Sequence, residues 1–165
     1  MTPSLDQPTH PSQDALPMQP PGHPPTDERV LRVVAFFETL TPASLATLPS
    51  VYSEQAQFID PFNAVRGLPA IHRVFEHMFE QLHQPRFEVL QTITEGEHCF
   101  LLWDFHFARQ AGAAVQRVHG GSHVHFAADG RVDWHRDHWD PAREIYETVP
   151  VLGGLLRWLR RRLQA

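Results

Sequence analysis

The chain has 165 residues and a net charge of −5, from 14 basic and 19 acidic residues, and every basic residue is arginine. Residues 1–26 hold eight of the fifteen prolines and no Phe, Trp, Tyr, Ile, Val or Cys, so they lack the apolar surface that would offset the entropy of ordering them. The other 139 residues suit one domain with one core, which excludes two large domains, a repeat array and a collagen-like chain.

Residues 27–150 carry ten Arg against seventeen acids, the reverse of the basic face that a general nucleic-acid binder presents. The single Cys99 has no internal disulfide partner, which favours a reducing compartment. No run reaches the roughly 18 apolar residues of a membrane span. The N-terminus has no basic segment followed by an apolar one, as a secretory signal requires. A cytoplasmic location is the expectation.

In chain order, Thr26 is positioned to cap a helix, with Asp27 and Glu28 in its first turn. Val30, Val33, Val34, Phe36, Phe37 and Leu40 follow at mostly helical spacing, up to Thr41-Pro42. A short helix over 44–51 offers Leu45, Leu48 and Tyr52 to the core, and a strand is predicted over 55–60. Pro61, Asn63 and Gly67 mark a turn. The spacing of Ile71, Val74, Phe75, Met78, Phe79 and Leu82 predicts a helix over 68–82. After Pro85 the period becomes two. Strands are expected after Pro85 up to Gly96, over 99–109, 115–127 and 131–139, with a bulge or bend at Gly120-Gly121 and a hairpin turn at Ala128-Asp129-Gly130. Helices segregated from an antiparallel sheet give the α+β class. A strongly curved antiparallel sheet closed by the N-terminal helices makes a cone-shaped barrel around a pocket.

Two stretches carry a resemblance. Phe58-Ile59-Asp60-Pro61-Phe62, with Gly67 and the helix from Ile71, is one; Phe126-Ala127-Ala128-Asp129-Gly130-Arg131-Val132, with the strand ending at Trp139, is the other. Together they resemble the nuclear transport factor 2-like superfamily, which includes ketosteroid isomerases, limonene epoxide hydrolases and SnoaL-like cyclases. The organisation that follows is a disordered Pro-rich tail over 1–26, a domain over 27–142, and an amphipathic basic helical extension over 143–165.

The ketosteroid isomerase resemblance implies a general base at Asp60 and a pocket Trp at Trp139. Phe36 or Phe37 and Ser122 stand where its oxyanion donors would be, and these are far weaker donors or none. The limonene epoxide hydrolase resemblance implies acids at Asp104 and Asp137, with Leu102 in place of the cation between them. Asp60, Asp104 and Asp137 are therefore the candidate catalytic residues. Phe36, Phe37, Phe75, Phe79, His106, Ser122, His135 and Trp139 are the candidate ligand-binding residues. Each acid has a plainer reading: Asp60 as a turn residue bonded to nearby backbone N–H groups, and Asp104 on the outer face of its strand. His106 shares the face of Asp104, so the two can form a pair that orients one another. His135, Asp137 and Trp139 share a face by alternation.

His119, His123 and His125 share one strand face at a metal-ligand spacing. No carboxylate motif accompanies them, so they read as an outer face, exposed or at a dimer contact, with no metal and no cofactor expected. Leu152, Leu155, Leu156, Leu159 and Leu163 form a stripe beside Arg157, Arg160, Arg161 and Arg162. That helix either packs on the domain or a second subunit, or docks on an anionic membrane or acidic partner. The expected partners are a small hydrophobic ligand and a second copy of the chain, with no nucleic acid. The functional expectation is acid–base isomerisation, cyclisation or hydrolysis of a small hydrophobic molecule; the alternative is a non-catalytic binding or interaction module.

Overall fold

The structure is a computed structural model that describes residues 27–141; the tail over 1–26 and the extension over 143–165 lie outside the described residues. Helix α1, Glu28–Glu38, starts at Asp27, whose side chain accepts from the Arg29 N–H at 2.9 Å. The cap is thus Asp27 and not Thr26. Asp27 also takes the Arg29 guanidinium, so one carboxylate meets both the first-turn backbone and a cation. The helix buries Val30, Val33, Phe36 and Phe37, the three-and-four spacing of a single apolar stripe. A 3-10 turn, Ala43–Thr47, and the one-turn helix α2, Leu48–Val51, lead into strand β1, Tyr52–Ile59.

A three-residue strand, β2 at Ala64–Arg66, folds back on β1. Gly67 then turns the chain at φ +88, a left-handed value that suits glycine. Helix α3, Leu68–Gln81, follows, with Pro69 in its first turn, where no N–H is needed. Strands β3, His83–Glu95, β4, His98–Ala108, β5, Gln116–Phe126, and β6, Val132–His138, form the expected antiparallel meander. The sheet order is β2-β1-β6-β5-β4-β3.

Two corrections follow. The sheet is mixed, because β1 pairs parallel to β6, with Phe58 opposite His135. Gly120-Gly121 forms no bulge, since Trp103 pairs with Gly120 and Leu102 with Gly121 without a register slip. Gly120 is there to admit a ring: a Cβ on it would lie 2.5 Å from the Trp103 indole.

The fold is α+β, with a strongly curved sheet whose edges, β2 and β3, do not bond to each other. Alternation sends Leu101, Trp103, Val118, Val124 and Phe126 to the core side, where α1 and α3 add Phe36, Phe37, Ile71 and Phe75. These rings meet edge-on, as Phe36 does with Phe75 at 6.0 Å, and full burial of each stabilises by roughly 1.5–3 kcal/mol. The register of β3 slips between Val89 and Gln91. There the Glu38 carboxylate accepts from the Val89 N–H at 3.1 Å and ties α1 to the sheet. None of the described helices is long and apolar enough to cross a membrane.

Candidate ligand cavity and its carboxylate

The concave side of the sheet and α3 line a half-open cavity of about 660 Å³, within the size range of small-molecule sites. Its walls are mainly aromatic: Phe58, Phe75, Phe87, Trp103, Phe105 and Phe107. Phe62 and Trp139 also line it, in edge contact at 5.4 Å. The polar lining residues include Asp60, His77, Gln81, Arg109, Gln116 and Asp137. A smaller void of about 20 Å³ beside Asp137 shares several of these walls and adds Phe37, Leu101 and Ser122.

Asp137 stands on β6 opposite Ser122 of β5, and its side chain is only 16% exposed. A carboxylate in such a place needs donors. Two reach the same oxygen. The Ser122 hydroxyl donates to Oδ1 at 2.5 Å, and His135 Nε2 lies 2.7 Å from it. Ser122 in turn accepts from the Trp103 indole N–H at 2.8 Å. His135, with no exposed surface, meets the Tyr52 hydroxyl through Nδ1 at 2.7 Å. Burial pushes the Tyr52 phenol well above its ordinary value near 10, and the negative charge of Asp137 adds to the shift.

Asp60 also lines the cavity, but its carboxylate is engaged in its own turn. Oδ1 accepts from the backbone N–H groups of Phe62, at 2.7 Å, and Asn63, at 2.6 Å, and the Asn63 amide donates to both oxygens. This arrangement is the Asx turn that an Asp before Pro favours. Asp104 lies on the opposite, convex face. It bonds His119 across β5 at 2.7 Å and Arg117 at 3.2 Å. The expected Asp104–His106 pair does not form, because alternating residues of one strand stand about two rises apart while His119 sits directly opposite. His106 lies instead 3.5 Å from Glu88. The three acids therefore do not converge: Asp60 and Asp137 face the cavity, and Asp104 does not.

Of the candidate ligand residues, Phe75 and Trp139 line the main cavity, while Phe37 and Ser122 line the smaller void. Phe36 is core, and Phe79 packs partly buried against it. His135 stands behind Asp137. Sequence reasoning missed Arg109 and Gln116 in the cavity wall and Tyr52 in the network. The aromatic run into Arg109 was a usable signal. The histidines of β5 lie on the convex face, where His98 and His123 are 3.0 Å apart and His125 meets Asp133 at 2.6 Å. Among the described residues, no group of three or more His, Cys, Asp or Glu is arranged to hold a metal ion.

Residues 33–135 match the SnoaL-like domain family. No curated protein matches the chain. Among solved structures it is similar to a protein of ketosteroid isomerase-like fold from Catenulispora acidiphila DSM 44928, solved with trimethylamine, at 12% identity over 73% of this chain and 92% of that one, TM-score 0.62. It is similar to an NTF2-like protein of unknown function from Burkholderia pseudomallei K96243, at 15% identity over 73% and 96%, TM-score 0.65. It is also similar to a candidate SnoaL-like polyketide cyclase from Jannaschia sp. CCS1, at 18% identity over 78% and 92%, TM-score 0.61. At these identities the likeness extends to the fold alone.

Proposed function

The chain belongs to the SnoaL-like domain family, and we propose from that premise that it binds a small, largely apolar molecule and moves a proton on it with Asp137. The observation that carries this reading is the Asp137 carboxylate: it borders an aromatic cavity and takes two donors on one oxygen. Such a group is preorganised as an acceptor. A proton taken from one position and returned to another accounts for isomerisation or cyclisation. Arg109 lies in the same wall. Asp104 has no part in the reading, and Asp60 serves as a polar wall held by its turn. The Catenulispora acidiphila neighbour holds a small molecule, which supports a ligand role for this chain.

One observation favours a second reading, a binding module without turnover. Asp60 is engaged in its turn and Asp104 faces outward, which leaves Asp137 as the one remaining candidate among the three acids. The same proposal includes a homodimer formed through the convex face, where Ile93, Phe100 and Leu102 are exposed.

The test is recovery of a bound small molecule, by mass spectrometry, from protein purified from its host. The expected result is an apolar molecule held by the wild type and recovered in smaller amount from Val118→Trp, whose larger side chain projects into the cavity wall. Equal recovery from both proteins would place the ligand elsewhere and defeat the proposal.

A further inference from the structure

The direction of the hydrogen bonds around Asp137 follows from which of their groups can donate. Tyr52 is fully buried, and among the described residues its hydroxyl has one hydrogen-bond partner, His135 Nδ1. A phenol in an apolar core keeps its proton and must donate it. Nδ1 is then the acceptor, and the ring proton of neutral His135 sits on Nε2, 2.7 Å from Asp137 Oδ1. The reverse tautomer would set the Nε2 lone pair against a carboxylate and leave the Tyr52 proton without an acceptor. The imidazole is also clamped: it stacks on Tyr52 at 5.9 Å and meets Phe37 and Phe58 at 5.7 and 4.8 Å. On the other flank, Trp103 donates to Ser122, so the Ser122 proton is free to go to Oδ1. Both chains run toward the same atom, and Oδ2 has no hydrogen-bond partner among the described residues.

We propose that Tyr52, His135 and Ser122 are positioning residues that give the two oxygens of Asp137 different tasks: Oδ1 is a permanent acceptor, and Oδ2 alone exchanges a proton with the molecule in the cavity. The proposal rests on Asp137 as the working carboxylate. In the step, the ligand's X–H bond breaks, its electron pair stays on the ligand, and the proton forms the Oδ2–H bond of a neutral carboxyl. Oδ1 remains the carbonyl oxygen and keeps both donors, so no neighbour has to turn. The same proton then leaves Oδ2 for a second atom of the ligand, and the carboxylate is restored. Tyr52 acts two hydrogen bonds away: it donates to His135 Nδ1 and, together with Asp137, holds the ring in one tautomer. The ligand class this selects is a molecule that presents an acidic C–H, N–H or O–H to a single oxygen, and it excludes one that must be protonated first by Asp137.

The experiment is long-range proton–nitrogen NMR on full-length protein labelled with 15N-histidine. In the wild type, His135 is expected as a single neutral tautomer, with Nε2 protonated and Nδ1 bare. In Tyr52→Phe, Nδ1 is expected to move downfield as it loses its donor, while Asp137 keeps the proton on Nε2. In Tyr52→Phe combined with Asp137→Asn, the two tautomers are expected to mix. A wild-type ring protonated on Nδ1, or a Tyr52→Phe spectrum with Nδ1 unmoved, would overturn the proposal. The wild-type spectrum decides the tautomer even where a variant does not fold. No substrate enters the measurement, so a correct tautomer beside an inactive cavity would refute the catalytic reading and leave the network standing.

Discussion

Gly120→Ala adds one methyl group at the point where β5 passes under Trp103. That Cβ would lie 2.5 Å from the indole Cη2 and 2.9 Å from Cζ2 and Cζ3, well inside van der Waals contact. The indole has little freedom to yield: Trp103 is 5% exposed, its ring meets Phe87 edge-on at 5.5 Å, and its N–H is engaged with Ser122 at 2.8 Å. An overpacked core costs about 1–3 kcal/mol, and losing the indole hydrogen bond costs about 1 kcal/mol more. Replacing a strand glycine returns about 0.5–1 kcal/mol of backbone entropy. The net is a destabilisation of about 1–3.5 kcal/mol, or a fall in Tm of roughly 3–20 °C for a domain of this size. Thermal denaturation followed by circular dichroism measures it, and the Trp103 indole proton should shift in the NMR spectrum. A Gly120→Ala protein as stable as the wild type, with that proton unmoved, would refute the close-packing argument.

Tyr52 predicts an alkaline limit. Its folded-state pKa is raised by burial, first, and by Asp137, so above about pH 10 the unfolded chain loses a proton that the folded chain keeps. The contribution of Tyr52 to stability is therefore full below about pH 10 and is lost above it by about 1.4 kcal/mol per pH unit, on top of an earlier loss from the Cys99 thiol, which burial also pushes up. Chemical denaturation between pH 9 and 11 should show a loss that Tyr52→Phe makes shallower above pH 10 while the Cys99 part remains; a slope unchanged by Tyr52→Phe would contradict the burial argument. Asp60→Ala should destabilise the Pro61–Asn63 turn by about 1–2 kcal/mol, because two backbone N–H groups lose their acceptor. Urea unfolding that matches the wild type would remove the turn role. Under the proposed homodimer, the wild type sediments as a dimer and Phe100→Arg on the convex face as a monomer; a monomeric wild type or an unchanged boundary would defeat that part of the proposal.

Local signals made much of the fold legible. Asp129-Gly130 announced its hairpin turn, in which Gly130 has φ +77 and the Asp129 side chain accepts from the Arg131 N–H. The two-residue period from Phe87 onward announced the meander. The parallel pairing of β1 with β6 was not legible, because its partners lie about 77 residues apart in sequence and no turn links them. β2 was hidden because three residues carry no period. The glycines at 120 and 121 read as a bend because the sequence does not show which ring needs the space.

The site was legible in part for the same reason. Strand parity put His135, Asp137 and Trp139 on one face, and two of them line the cavity. Parity alone left both faces open for Asp104. Its neighbours across β5, Arg117 and His119, are what fix it on the convex face. Tyr52 looked like one more core aromatic at the end of a helix. Its role depends on a histidine 83 residues away, which no local pattern records.

The central claim is that Asp137 is the group that moves a proton in the cavity. The most direct measurement is the turnover of the molecule recovered from the protein, by wild type and by Asp137→Asn, both shown to be folded. Removing a positioned base should lower kcat by about 10²–10⁴-fold while the molecule still binds. An Asp137→Asn protein that turns it over within twofold of the wild type would contradict the account.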